Sequence, residues 1–95
     1  MKILHLSTAN ITLAVRIWGD NNTLAPTLIM VHGFPDNSLV WQTIAEQLSK
    51  VFRVVAYDVR GAGDSSIPKA TSAYKIRYLV DDLAAVIDAV SPSQA

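Results

Sequence analysis

With 95 residues, 51% of them hydrophobic and 17% charged, the chain can form at most one small globular domain with a limited core. Eight basic and eight acidic residues cancel and form no basic cluster, which argues against a nucleic-acid partner or a membrane-surface helix. The chain has no cysteine, so disulfides and thiolate metal sites are excluded, and we expect a cytoplasmic protein.

The first predicted elements are two strands, at residues 3–7 and 11–18, separated by residues 8–10. In the second run an apolar set alternates with a mixed set, as in a β-strand. The apolar set is Ile11, Leu13, Val15 and Ile17, and the mixed set is Thr12, Ala14, Arg16 and Trp18. We therefore predict an antiparallel hairpin.

A turn-forming segment at residues 19–23 precedes a short apolar run at residues 27–31. This run shows no alternation, which predicts a strand buried on both faces. The next segment leads into a helix, for which Asp36, Asn37 and Ser38 are candidate N-caps. The apolar positions that share one face of this helix are Val40, Trp41, Ile44, Ala45 and Leu48.

A second β-branched run, at residues 52–57, leads into a glycine-punctuated loop at residues 58–66. A second helix is predicted where apolar residues recur at helical spacing, and residues 91–95 should end it. Its apolar positions are Ile76, Leu79, Val80, Leu83, Ile87 and Val90, with Lys75, Arg77, Asp81, Asp82 and Asp88 placed largely on the other side.

The order of these elements predicts an α/β fold, in which an antiparallel hairpin is followed by two parallel strands with two helices. The sheet should be incomplete, because the strand at residues 27–31 would keep one unpaired apolar edge. Such an edge invites aggregation.

The segment His32-Gly33-Phe34-Pro35-Asp36 is the first candidate site, because open α/β sheets bind ligands at the carboxyl ends of their parallel strands. Gly33 removes a Cβ that would obstruct a turning backbone, and Pro35 fixes φ. The amide of Phe34 could then point into a pocket and stabilise a developing oxyanion. The alternative is that the Phe34 side chain plugs the core.

This segment resembles the His-Gly-Phe-Pro signature of α/β-hydrolases, especially epoxide hydrolases and haloalkane dehalogenases. The run Asp58-Val59-Arg60-Gly61-Ala62-Gly63-Asp64-Ser65 resembles the Asp-x-Arg-Gly-x-Gly-x-Ser loop after the next strand in that superfamily. Its first six residues are also similar to bacterial two-domain proteins in which a hydrolase is fused to a short-chain reductase. The resemblance covers nearly the whole chain. It implies that the Phe34 amide forms half of an oxyanion hole, with no cofactor.

The rest of the machinery that the resemblance implies is not in these residues. The second oxyanion donor would follow the nucleophile, but the sequence has no Gly-x-Ser-x-Gly or Gly-x-Asp-x-Gly. We therefore predict no catalytic residue here: residues 1–95 would be the N-terminal portion of one hydrolase domain, truncated before the nucleophile elbow. The parent would cleave an epoxide or an ester in a small-molecule substrate, and the chain alone would be inactive.

Other side chains near this segment have structural interpretations. We expect His32 to be a packing residue whose ring bonds the neighbouring loop, and not the catalytic base. Asp36 is expected to cap the helix, and Trp41 to pack in the core rather than line a pocket. His32 and Asp36 could in principle share a metal ion, but two ligands without a third do not make a site.

The second loop is also predicted to be structural. Arg60 would form a salt bridge with Asp58 or Asp64 and so hold the loop. The residues assigned to this role are Asp58, Arg60, Gly61, Gly63 and Ser65.

Two other classes of function compete with a hydrolase. Residues 61–66 loosely match the Gly-x-Gly-x-x-Gly fingerprint of a dinucleotide-binding half-domain, but Ser66 replaces the third glycine and no helix starts promptly. Quenching of tryptophan fluorescence by a dinucleotide would support this alternative. A non-catalytic module could instead pair its open sheet edge with a partner, which a defined heteromer in solution would support.

Overall fold

A computed structural model describes residues 1–8, 10–21, 25–33 and 37–90. These residues form a four-stranded mixed sheet with one α-helix on each face. The strands are β1 (Lys2–Ser7), β2 (Thr12–Trp18), β3 (Thr27–Val31) and β4 (Arg53–Tyr57). The helices are α1 (Gln42–Leu48) and α2 (Ile76–Val90), preceded by the 3₁₀ turns Ser38–Trp41 and Thr71–Tyr74.

The strand order in the sheet is β1-β2-β4-β3. The pairs β1/β2 and β2/β4 are antiparallel, whereas β3 and β4 are parallel. The predicted hairpin and the predicted pair of parallel strands are therefore confirmed. In the parallel pair Val31 lies opposite Tyr57, so the chain leaves both strands at the same level of the sheet.

The two faces of the central strands, β2 and β4, carry separate hydrophobic clusters, because successive side chains point to opposite faces. One face packs against α2, and the other packs against α1. The buried members of the first cluster are Ile11, Leu13, Val15, Ile17, Val55, Tyr57, Val86 and Val90. Those of the second are Trp18, Ala45, Val54 and Ala56.

The prediction that residues 27–31 are buried on both faces is wrong. Most of β3 is half-buried, and Val31 is 44% exposed. The reason is the position of the strand: among the described residues β3 pairs only with β4, so its outer edge is open. The predicted unpaired edge of this strand is therefore present in the described part of the sheet.

The first helix is only partly as predicted. It begins as a 3₁₀ turn, and the N-cap of this turn is Asn37. A 3₁₀ turn has three residues per turn and an α-helix has 3.6, so side chains before and after Gln42 do not follow one helical repeat. Of the positions predicted to share one face, Ala45 is buried, whereas Val40 and Ile44 are about half exposed.

The second helix begins at Ile76 as predicted and continues through Val90, whereas residues 91–95, which were predicted to end it, lie outside the described residues. Its buried side is rotated from the predicted one. Val86 and Val90 are buried together with Asp82, at spacings of four residues. Asp82, which was predicted on the polar side, is only 3% exposed, whereas Ile76 is 73% exposed. Within the described ranges neither helix is long and apolar enough to cross a membrane.

Candidate functional site

The loops that follow β3 and β4 lie side by side, because the two strands are parallel and end in register. His32 is the first residue after β3, and Asp58 is the first after β4. Both side chains are buried. The two motif segments, which begin at His32 and at Asp58, thus start in one region at the carboxyl ends of the parallel strands. Open α/β sheets bind ligands in this region.

The His32 ring connects the two loops. The backbone N–H of Val59 donates a hydrogen bond to His32 Nε2 over 3.0 Å, and Nδ1 lies 3.0 Å from the carbonyl oxygen of Gly33. Because Nε2 accepts a hydrogen bond, these two contacts are consistent with the tautomer that carries its proton on Nδ1. In that tautomer Nδ1 donates to the carbonyl oxygen of Gly33. A ring with both nitrogens occupied in this way is held as a structural link.

Asp58 is the centre of the loop after β4, and its carboxylate is fully buried. Oδ1 accepts from the backbone N–H of Ser38 over 2.7 Å, and Oδ2 accepts from Arg16 over 2.8 Å and from the backbone N–H of Asp64 over 2.9 Å. Burial raises the pKa of this carboxyl, but the hydrogen bonds from Arg16, Asp64 and Ser38 outweigh it and bring the pKa to about 2. The group is therefore ionised at neutral pH.

Arg16 is the partner that sequence reasoning missed. Its guanidinium is buried and reaches three side chains: Asp58, Ser38 over 2.5 Å and Asp64 over 2.8 Å. The alternation of β2 placed Arg16 in the mixed, non-apolar set, although β2 is a central strand that is buried on both faces. Trp18 and Ala14, at the same parity as Arg16, were the signal that this second face is also interior.

Gly63 and Ser65 complete the support of the Asp58 loop. Gly63 has φ +50°, and a Cβ there would overlap the Asp58 carboxylate. The Ser65 hydroxyl donates to the Asp58 carbonyl oxygen and accepts from the backbone N–H of Ala14 over 2.9 Å. The loop is thus fastened to β2 and folded around its own buried acid.

The predicted partner of Arg60 is wrong. Arg60 forms a two-pronged salt bridge with Asp82 of α2, with N···O distances of 2.7 and 2.8 Å, and donates to the Ala73 carbonyl oxygen over 2.7 Å. Asp58 is not available to it, because Arg16 already holds that carboxylate from inside the sheet. Arg60 therefore ties the loop to α2 instead of closing the loop on itself.

The two remaining glycines of the motifs differ from each other. Gly61 has φ +84°, and a Cβ there would lie 2.7 Å from the Tyr74 ring, so both conformation and space require glycine. Gly33 was predicted to be needed to relieve crowding, but its φ is outside the left-handed region. Among the described residues nothing lies within 4 Å of its missing Cβ, because Gly33 is exposed beyond the edge strand.

Three predicted site residues, Phe34, Pro35 and Asp36, lie outside the described residues, so the oxyanion and capping roles assigned to them stay predictions. Trp41 is half-buried and packs against the cluster on the α1 face, where core packing was expected. No group of three or more potential metal ligands occurs in the described part of the chain.

A largely apolar cavity of about 350 Å³ lies beside the His32 ring, between the open edge of β3 and α2. Its lining residues are Val31, His32, Tyr57, Val59, Ile76, Leu79, Val80, Asp82 and Leu83. Burial, and secondarily the charge of Asp82, raise the pKa of Tyr57 to about 12. Tyr57 is therefore a neutral phenol at physiological pH and no base.

The arrangement agrees with known proteins. A family model described as "alpha/beta hydrolase fold" matches residues 26–95. The chain belongs to this family. The match includes both loops at the ends of β3 and β4, and it favours a hydrolase over the dinucleotide-binding and partner-pairing alternatives.

Similar α/β-hydrolases include epoxide hydrolases. The chain is 41% identical over 80 residues to probable oxidoreductase EphD of Mycobacterium tuberculosis, covering 84% of this chain and 14% of that protein. It is 38% identical over 71 residues to epoxide hydrolase B of the same species, covering 74% and 20%. The chain therefore spans a fifth or less of the length of these two relatives.

Among solved structures, epoxide hydrolase VrEH1 from Vigna radiata superposes with a TM-score of 0.86 at 32% identity. The superposition covers 96% of this chain and 29% of that structure. The four-stranded sheet and its two helices thus correspond to less than a third of a complete hydrolase fold.

Proposed function

We propose that this chain is the N-terminal part of an α/β-hydrolase that opens epoxides, and that the amide of Phe34 is one of its two oxyanion donors. The observation that carries the proposal is the bond between the Val59 amide and the His32 ring. It joins the two loops at the carboxyl ends of parallel strands, and the Phe34 segment starts directly after this link. The similarity to epoxide hydrolases supports the choice of substrate.

In the proposed reaction a carboxylate or hydroxyl nucleophile from a later strand attacks the substrate. With an epoxide, a carboxylate oxygen forms a bond to a ring carbon, the carbon–oxygen bond of the ring breaks, and the alkoxide takes up a proton. Water then attacks the carbonyl carbon of the resulting ester and gives a proton to the histidine that follows the nucleophile in such triads, so that negative charge builds up on the carbonyl oxygen. The Phe34 amide and the amide after the nucleophile would stabilise that charge. The ester carbon–oxygen bond then breaks, which releases the diol and restores the carboxylate.

The nucleophile would come from a strand that pairs with the open edge of β3. This edge is unpaired among the described residues, and Val31 at its end is 44% exposed beside the apolar cavity. A strand placed there would bring its following turn next to the His32 segment. The 95 residues carry neither nucleophile motif, so we expect no turnover of an epoxide or an ester by them alone.

The first test is to read the coding sequence in frame beyond residue 95. The proposal expects a strand followed by Gly-x-Asp-x-Gly within a few dozen codons. Gly-x-Ser-x-Gly would move the proposal to an ester substrate, and a coding sequence with neither motif would refute it.

The second test uses the protein that this longer coding sequence encodes, with styrene oxide as substrate. Phe34→Pro, which deletes the amide donor, should lower kcat by about 100-fold or more. Phe34→Leu, which keeps the amide, should lower kcat far less. Equal losses in the two variants would show that the side chain of Phe34 matters and its amide does not.

A further inference from the structure

The described residues on the two sides of residues 34–36 bind one dipeptide of the neighbouring loop. His32 precedes this segment and binds the backbone of Val59. Ser38 follows it and binds the side chain of Asp58. Because Asp58 and Val59 are adjacent in sequence, the two ends cannot shift relative to each other without breaking one of these bonds.

The Ser38 end is bound twice. Its backbone N–H donates to Asp58 Oδ1 over 2.7 Å, and its hydroxyl accepts from the Arg16 guanidinium. Ser38 has no exposed surface. Arg16 also donates to Asp58 Oδ2 over 2.8 Å, so one buried triad of Arg16, Asp58 and Ser38 fixes the start of the 3₁₀ turn.

Only an ionised carboxylate can occupy the position of Asp58. The groups that face its two oxygens are all donors: the Ser38 amide, the Asp64 amide and the Arg16 guanidinium. An asparagine has the same shape, but its NH₂ group would point at donors, and Arg16 would keep only the exposed Asp64 as a charged partner. The chemistry of the side chain, and not only its size, is thus required.

We propose that Asp58 is a positioning residue that fixes Ser38, and with it the start of the 3₁₀ turn that follows the His32 segment. The proposal rests on the proposed function in one respect, because Phe34 lies four positions before Ser38 in the sequence. Oxyanion stabilisation requires a donor that is fixed in place before the charge develops, so the ordering of the loop has to be supplied by the fold. Asp58 touches no substrate in this account and acts only through Ser38.

A residue that merely stabilises the fold would act differently. Its loss would lower the free energy of unfolding but leave the local order of the loop unchanged in the molecules that remain folded. Backbone order parameters separate the two cases, since amide relaxation reports motion within the folded state.

The experiment compares the protein that the longer coding sequence encodes with its Asp58→Asn variant by ¹⁵N relaxation. Asp88→Asn is the matched control, because it removes the same charge from an exposed position of α2. In Asp58→Asn the order parameters of Gly33, Asn37 and Ser38 should fall from about 0.85 toward 0.6. Val15 and Val55 in the central strands, and all sites in Asp88→Asn, should keep their original values.

If Asp58→Asn does not fold, a second variant can still test the proposal. Asp58→Glu keeps the charge opposite Arg16 but moves the carboxylate by one methylene group, and it should lower the order parameters of Asn37 and Ser38 by a smaller amount. If the loop amides keep their order in the folded variants, Asp58 does not position the loop. Failure of the Phe34 activity test would instead refute the proposed function and leave the positioning role intact.

Discussion

The loops after β3 and β4 start at neighbouring positions of the sheet but are held in different ways. The loop after β4 carries its own support: Gly61 donates to the Ser66 carbonyl oxygen, Asp64 donates to Asp58, and Ser65 fastens it to β2. The loop after β3, in its described residues, is bound chiefly at its two flanks, by Asp58 and Val59. The loop after β4 is thus closed by its own hydrogen bonds, and it also binds both flanks of the loop after β3.

The largest expected effect comes from Asp58→Asn, which breaks the loop after β4 at its buried centre. Removing one partner of a buried ion pair typically costs about 3–5 kcal/mol, and Arg16 would keep only the exposed Asp64 as a charged partner. Urea denaturation should show this loss in the free energy of unfolding. The exposed Asp88→Asn should change it by no more than about 0.5 kcal/mol; similar losses for both variants would contradict a buried network.

Gly63→Ala should have the next largest effect on the free energy of unfolding. It places a Cβ against the Asp58 carboxylate, and it requires alanine to adopt φ +50°, a backbone conformation that favours glycine. The left-handed conformation alone costs about 1–2 kcal/mol, and overpacking adds roughly 1–3 kcal/mol. Thermal unfolding followed by circular dichroism measures the change. A loss below about 1 kcal/mol would mean that the loop relaxes away from Asp58.

Acid should weaken the same support. The pKa of Asp58 is about 2 in the folded chain, below its value near 3.9 in an unfolded chain. Its contribution is therefore complete above pH 4 and is lost as the pH falls toward 2, a change of roughly 2 kcal/mol. Urea titrations between pH 2 and pH 6 should show this slope in the parent chain and in Asp88→Asn, but a reduced slope in Asp58→Asn. Equal slopes in all three would exclude Asp58 as its source.

Gly33→Ala should have the smallest effect. Its φ lies outside the left-handed region, and the described residues leave space for a Cβ. We expect a change within about 0.5 kcal/mol in the free energy of unfolding, in either direction. Since Gly63→Ala makes the same chemical change in the other loop, the pair measures the difference between the two loops directly. A loss as large as that of Gly63→Ala would remove the contrast.

Local patterns in the sequence predicted most of the fold. Alternation in residues 11–18 and the β-branched run before Asp58 gave the strands, and the spacing between Ile76 and Val90 gave the second helix. The register of β3 on β4, which brings His32 beside Asp58, could not be read from any local pattern. Strand order and edge position depend on packing between segments far apart in the chain, which is why the burial of β3 was overestimated.

The ionic contacts were the least predictable part of the site. Arg16 and Asp58 are 42 positions apart, and Arg60 reaches Asp82 instead of the acids near it in sequence. A charged residue in an amphipathic pattern is normally assigned to solvent, because an unpaired buried charge is costly. Arg16 and Asp82 are exceptions because each finds a buried partner that only the tertiary structure supplies.

The link between the two loops can be measured most directly as a ¹⁵N–¹⁵N coupling across the hydrogen bond between the Val59 amide and the His32 ring. At neutral pH we expect a cross-peak that joins Val59 N to His32 Nε2, together with an Nε2 chemical shift typical of an unprotonated ring nitrogen. No cross-peak, with a proton found on Nε2 instead, would contradict this link: the ring could not accept from Val59, and the loop after β3 would not be held by the loop after β4.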